Sequence, residues 1–119
     1  MSTVAVAEAS AVLAAGARSV LEQDGFAVWT AASLDELLGR AASSPPEIVL
    51  LDLTLPPRGA TSAIGRLAHD GRTRTVVWSF EPSPEDVLGA VAAGAVGFLT
   101  KQVGPADGGV LWHVRSHLL

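Results

Sequence analysis

Glu47-Ile48-Val49-Leu50-Leu51-Asp52-Leu53-Thr54-Leu55-Pro56 is the stretch on which the reading of this chain turns. After Pro45 and Pro46, the four residues Ile48 to Leu51 form an unbroken apolar run. Such a run suits a strand buried on both faces, as the centre of a parallel sheet requires. Asp52 ends it. An unpaired buried carboxylate is costly, so Asp52 is expected to emerge where strand meets loop. In open α/β sheets that edge is where ligands bind.

Working outward, strand and helix patterns alternate five times. Thr3 to Ala7 reads as a first strand with Glu8 at its carboxyl end, and Ala11 to Gln23 as a helix closed by Asp24-Gly25. Phe26 to Thr30 is a second strand. Ser33-Leu34-Asp35-Glu36 has the form of a capping box opening a helix that runs to about residue 42. Beyond the central strand, Thr61 to His69 is a weaker helix and Thr73 to Phe80 a fourth strand. Ser83-Pro84-Glu85-Asp86 supplies an N-cap, a first-turn proline and two acids for a helix ending at Gly94. Val96 to Thr100 is a fifth strand, with Lys101 at its end. A last helix is predicted from Pro105, with Val110, Leu111, Val114 and Leu118 at helical spacing. Short connections and right-handed crossovers make this a doubly wound, five-stranded parallel sheet with helices on both faces.

A chain of 119 residues fits one domain, 1–119. Its 8 basic and 12 acidic residues give a net charge of -4 without a basic stripe, so direct nucleic-acid binding by this segment is not expected. The absence of cysteine removes disulfides, thiolate metal sites and thiol nucleophiles, in keeping with a cytoplasmic setting. No apolar run approaches the ~18 residues that would mark a membrane span.

Side by side, the five strands bring Glu8, Asp52, Ser79 and Lys101 to one carboxyl edge. Each taken singly is explained by the need to end a strand. Together, two acids, a hydroxyl and an ammonium suit phosphoryl transfer. The acids can hold Mg2+. Lys101 and the cation can neutralise a phosphoryl group as Asp52 attacks it, and Ser79 can donate to a phosphoryl oxygen. His69, His113 and His117 fall on helices or at their ends, away from this crevice, so a Ser-His-Asp triad is not available to Ser79.

These segments resemble the response-regulator receiver domain of two-component signalling. The resemblance spans essentially the whole chain. It rests on I-V-L-L-D-L-T-L-P around Asp52, V-V-W-S around Ser79 and A-A-G-A-V-G-F-L-T-K ending in Lys101. It implies a flavodoxin-like sheet of strand order 2-1-3-4-5. It further implies that Asp52 accepts phosphate from a histidine kinase or a small phosphodonor, that Ser79 follows the phosphoryl group, and that Lys101 pairs with it. Phe98 falls at the family's rotating aromatic, and is either that switch or a core residue. The implied partners are an effector domain or output protein, with a homodimer through the face built from 83–93, 96–101 and 105–118.

The chain departs from the pattern at strand one, where receivers carry two adjacent acids and this sequence reads Glu8-Ala9. Mg2+ would then rest on Asp52, Glu8 and the Thr54 carbonyl, so weak or absent metal binding and slow phosphorylation are expected. Ala60 stands near a position where the family keeps Gly, so the loop P-P-R-G-A is expected to be shaped differently. Gln102 replaces a proline common after the lysine, and no cis bond is expected there. A phosphorylation-independent pseudo-receiver, used for docking or ligand sensing, is the alternative that Ala9 favours. A flavodoxin-like enzyme or cofactor carrier is a third, but E-A-S-A-V-L-A offers no glycine-rich turn for a pyrophosphate.

Overall fold

The structure is a computed structural model that describes residues 2–69, 71–80 and 83–101. The predicted terminal helix, His113, His117 and the peptide bond before Gln102 lie outside these residues. Within them the order is β1 (Thr3–Ala7), α1 (Ala11–Gln23), β2 (Ala27–Ala31), α2 (Leu34–Ser43), β3 (Ile48–Leu51), α3 (Ala60–Ala68), β4 (Arg74–Ser79), α4 (Pro84–Ala93) and β5 (Gly97–Thr100). All ladders are parallel and the sheet order is β2-β1-β3-β4-β5.

Side chains of a strand alternate between faces, and the two faces of this sheet bury different helices. Val4, Val6, Ile48, Leu50, Val76, Trp78 and Leu99 pack with Ala14, Ala17 and Leu21 of α1. Ala5, Ala7, Val49, Leu51 and Val77 pack with residues of α2, α3 and α4 such as Leu37, Ile64 and Ala90. Every residue of β3 is buried, which explains its unbroken apolar run. Alanines on the inward faces of α1 and α3 fit a chain with few aromatics, because they let each helix lie close to the sheet.

The differences from the predicted elements have local causes. The Phe26 amide donates to Leu21 O at 3.1 Å and closes α1, so β2 begins one residue later, at Ala27. β4 begins at Arg74, where pairing with Ile48 starts, and Thr73 stands just before it with its hydroxyl donating to Pro46 O at 2.6 Å. Ser33 forms half of the predicted capping box: its hydroxyl accepts from the Glu36 amide, while the Glu36 side chain is exposed to solvent, where a return bond adds little. The reciprocal pair occurs instead between Ser83 and Asp86 at the start of α4. In the loop after β3 the Pro56–Pro57 bond is cis, and Gly59 takes φ +121 immediately before Ala60 opens α3.

Candidate functional site: a lysine held between two carboxylates

The alternation that sorts the core also builds the site. Glu8, Asp52 and Lys101 each lie one step past a strand, and their amides continue the ladder: Glu8 N to Ala31 O, Asp52 N to Ala7 O and Lys101 N to Ser79 O. Parity therefore persists. Val4-Val6-Glu8, Ile48-Leu50-Asp52, Val76-Trp78-Phe80 and Leu99-Lys101 all issue on the α1 face of the sheet. Two acids, a lysine and two aromatic rings are thus delivered to one corner of the carboxyl edge.

There Lys101 Nζ donates to Asp52 Oδ2 at 2.7 Å and to Glu8 Oε1. The other carboxylate oxygens are also engaged. Asp52 Oδ1 accepts from the Thr54 amide and from the Thr54 hydroxyl, each at 2.8 Å. Glu8 Oε2 accepts from the Ser10 amide at 2.9 Å, beside the N-cap hydroxyl that Ser10 gives to α1. The side chains of Lys101, Glu8 and Asp52 are only 4, 4 and 10% exposed. Burial pushes the Asp52 carboxyl up, but the Lys101 hydrogen bond, the two Thr54 hydrogen bonds and the ammonium charge outweigh it and hold the group below its usual value. Asp52 is therefore a carboxylate at neutral pH.

The ammonium has further neighbours. Lys101 Nζ lies 4.8 Å from the centre of the Trp78 ring and 5.2 Å from that of Phe80, within the range of cation–π attraction. Trp78 is buried and Phe80 half-exposed. Neither ring was singled out from sequence as part of the site, nor was the Thr54 hydroxyl or the Ser10 amide. The period-two spacing of Trp78 and Phe80 was the available signal.

Of the residues predicted to converge, Glu8, Asp52 and Lys101 meet directly, and Thr54 touches Asp52. Ser79 ends β4 in register with Thr100 and shares the parity of Thr75 and Val77, which belongs to the other face. Among the described residues, no hydrogen bond joins its hydroxyl to Asp52 or Lys101. Phe98, opposite Val77 in β5, is partly buried against the core on the α2–α4 side. His69 caps the end of α3, at the strands' amino edge.

Two carboxylates could hold a cation here, but both already bind Lys101, and exposed Ala9 adds a methyl group where a third acid would stand. Among the described residues no group of three or more His, Cys, Asp or Glu lies together as a metal cluster would require. The donor set is a poor fit to a hard divalent ion, which prefers six oxygen ligands.

Comparison with known proteins agrees with the geometry. The response regulator receiver domain, as a family, matches residues 4–108. The KDP operon transcriptional regulatory protein KdpE of Escherichia coli is 31% identical over 104 residues, covering 87% of this chain and 46% of that protein. The probable transcriptional regulatory protein SgaR of Hyphomicrobium methylovorum is 30% identical over 105 residues, covering 86% and 50%. The chain thus spans about half the length of these curated relatives. Among solved structures, the Vibrio cholerae chemotaxis protein CheY4 superposes with a TM-score of 0.86 at 23% identity, over 100% of this chain and 99% of that one. A LuxR-family two-component response regulator from an Aurantimonas species gives 0.83 at 27% identity, over 99% and 85%. A doubly wound sheet of order 2-1-3-4-5, an acid–lysine cluster at its carboxyl edge and a family match over most of the chain place this protein in the response regulator receiver domain family.

Proposed function

We propose that this chain is the receiver module of a two-component response regulator in which Asp52 is the phosphoacceptor and metal-assisted phosphorylation is weak. The observation that carries this reading is the Asp52 carboxyl at the strands' carboxyl edge, hydrogen-bonded to the Lys101 ammonium, which holds its pKa below the usual value. A carboxylate oxygen of Asp52 attacks the donor's phosphorus, the new P–O bond makes an acyl phosphate, and the donor's leaving group departs with its electron pair. Lys101 offsets the charge that builds on the phosphoryl oxygens. Ser79 donates to one of those oxygens once its hydroxyl approaches, and Phe98, opposite Val77 on the neighbouring strand, reports the change. Receiver domains generally use Mg2+ at this position to neutralise phosphoryl charge. Here Asp52, Glu8 and the Thr54 carbonyl are the groups left to hold it, and their commitment to Lys101 together with Ala9 argues for weak binding.

Response regulators interact with histidine kinases and effector domains. On that basis the partners are a kinase or small phosphodonor and an output domain, in the cytoplasm. No helix among the described residues is long and apolar enough to cross a membrane. Two relatives are named as transcriptional regulators, which makes a DNA-binding output the natural extension. Leu88 and Val91 of α4, with Val96 before β5, are exposed and supply the apolar part of an output or dimer face.

A second reading is favoured by one specific observation. All four oxygens of Glu8 and Asp52 already accept hydrogen bonds, as in a site closed on itself. That suits a module which docks without being phosphorylated. Acetyl phosphate with Mg2+, followed by intact-mass measurement, separates the cases. Slow, partial modification lost in Asp52→Asn supports the first reading. Complete absence supports the second, and rapid stoichiometric modification refutes the weak metal site.

A further inference from the structure

Lys101 is the chain's only lysine, and its surroundings hold more than the two acids. An ammonium carries three N–H donors, and two of them are spent on Glu8 and Asp52. The remaining side of the nitrogen faces aromatic rings, Trp78 at 4.8 Å and Phe80 at 5.2 Å. The rings differ in exposure: Trp78 retains 4% of its surface and Phe80 47%. Trp78 is thus the inner wall, and Phe80 lies toward solvent.

We propose that Trp78 and Phe80 are positioning residues which clamp the Lys101 ammonium onto Glu8 and Asp52, and that Phe80 is the cover which keeps this corner closed. The clamp follows from electrostatics. A cation over a ring face is attracted by the ring quadrupole, and more strongly when both are withdrawn from water, as Lys101 and Trp78 are. The cover follows from exposure. Lys101 lies at the end of β5 on the rim of the sheet, where a long amphipathic side chain ordinarily reaches into water. Here it is turned inward, and among the described residues the half-exposed group beside its nitrogen is the Phe80 ring. On this proposal a solute displaces that ring to meet the ammonium. Where Asp52 is the phosphoacceptor, the same displacement governs how fast a phosphodonor reaches it, and this part of the proposal rests on that reading.

A single lysine makes the test direct. The native protein is treated with an amine-acylating ester, and acetylation of Lys101 and of the α-amino group is followed by peptide mass spectrometry. Rates are normalised to those of the chain in denaturant. In wild type, Lys101 is expected to react at least tenfold more slowly than in the unfolded chain. Phe80→Ala should raise its reactivity at least fivefold at a temperature well below the variant's own Tm, where the protein is fully folded, and Phe80→Trp, which restores a ring, should return protection. Phe80→Leu keeps an apolar cover without a ring, so protection equal to wild type in that variant overturns the clamp. Lys101 equally protected in Phe80→Ala and wild type overturns the cover. The same variants are then given acetyl phosphate. Faster modification of Asp52 in Phe80→Ala extends the cover to phosphotransfer. An opened Lys101 with Asp52 unmodified in every variant sinks the phosphoacceptor reading and leaves the clamp standing.

Discussion

Replacing Lys101 by Met keeps an unbranched stem of similar length and deletes the ammonium that two buried carboxylates share. Removing one partner of a buried ion pair typically costs ~3–5 kcal/mol, because the charge left behind is desolvated and unpaired. Here two are left behind, with side chains 4 and 10% exposed. For a domain of this size 1 kcal/mol corresponds to roughly 3–5 °C, so a fall in Tm of about 10–20 °C is expected. Arg18→Met is the internal control. It breaks only the exposed Arg18–Glu22 pair at 3.4 Å, for which ~0.5 kcal/mol or less is expected. The pH dependence makes the test sharper, since the sign reverses. In wild type the folded-state pKa of Asp52 is lowered, so its stabilisation is complete above the usual value of 3.8 and is lost as the pH falls through the lower folded value. In Lys101→Met, burial and the neighbouring Glu8 act without the ammonium and raise that pKa. The deficit should then be largest near neutrality and shrink as the pH falls toward about 4. Urea unfolding of both proteins from pH 7 to pH 4 reads the difference directly. A Lys101→Met protein within 1 °C of wild type at pH 7, with a parallel pH profile, would refute the assignment of Lys101 as the counter-charge that keeps Asp52 ionised.

Three other substitutions test separate parts of the structure. Gly94→Ala should destabilise by more than ~1 kcal/mol, since Gly94 ends α4 at φ +120 and an added Cβ would meet Ala68 Cβ at 3.1 Å; a Tm equal to wild type would contradict that close approach. Ser83→Ala removes the reciprocal cap of α4 and should cost ~1 kcal/mol in urea unfolding, no less than Ser33→Ala, whose cap is one-sided. Ala9→Asp adds the missing carboxylate, and saturating Mg2+ should raise its stability by about 1.4 kcal/mol at ten times Kd while moving wild type little. Equal Mg2+ responses in the two proteins would show that Ala9 is not what limits the metal.

The backbone of this fold was legible because burial writes itself into short windows. Four consecutive apolar residues after two prolines place β3, and Ser83-Pro84 places the start of α4. The ends of the strands were legible for the same reason, since Glu8, Asp52 and Lys101 are polar residues that interrupt apolar runs. Single residues at element edges were harder. Whether Phe26 joins β2 or closes α1 depends on which carbonyl its amide meets, and that is a tertiary fact. The contents of the site were half legible. A charge at a strand end announces itself, whereas Trp78 and Phe80 read only as residues of the fourth strand until their parity is matched to that of Lys101 across β4 and β5.

That parity also constrains how the site can work. The alternation that brings Glu8, Asp52 and Lys101 together puts Ser79, between Trp78 and Phe80, on the opposite face of the sheet. Where Asp52 is the phosphoacceptor, the Ser79 hydroxyl reaches a group on it either by changing its own rotamer or by a movement of the end of β4. In the second case Phe80, the next residue, moves with it. Such a movement would shift the ring proposed to cover the lysine, and would link opening of the corner to recruitment of Ser79.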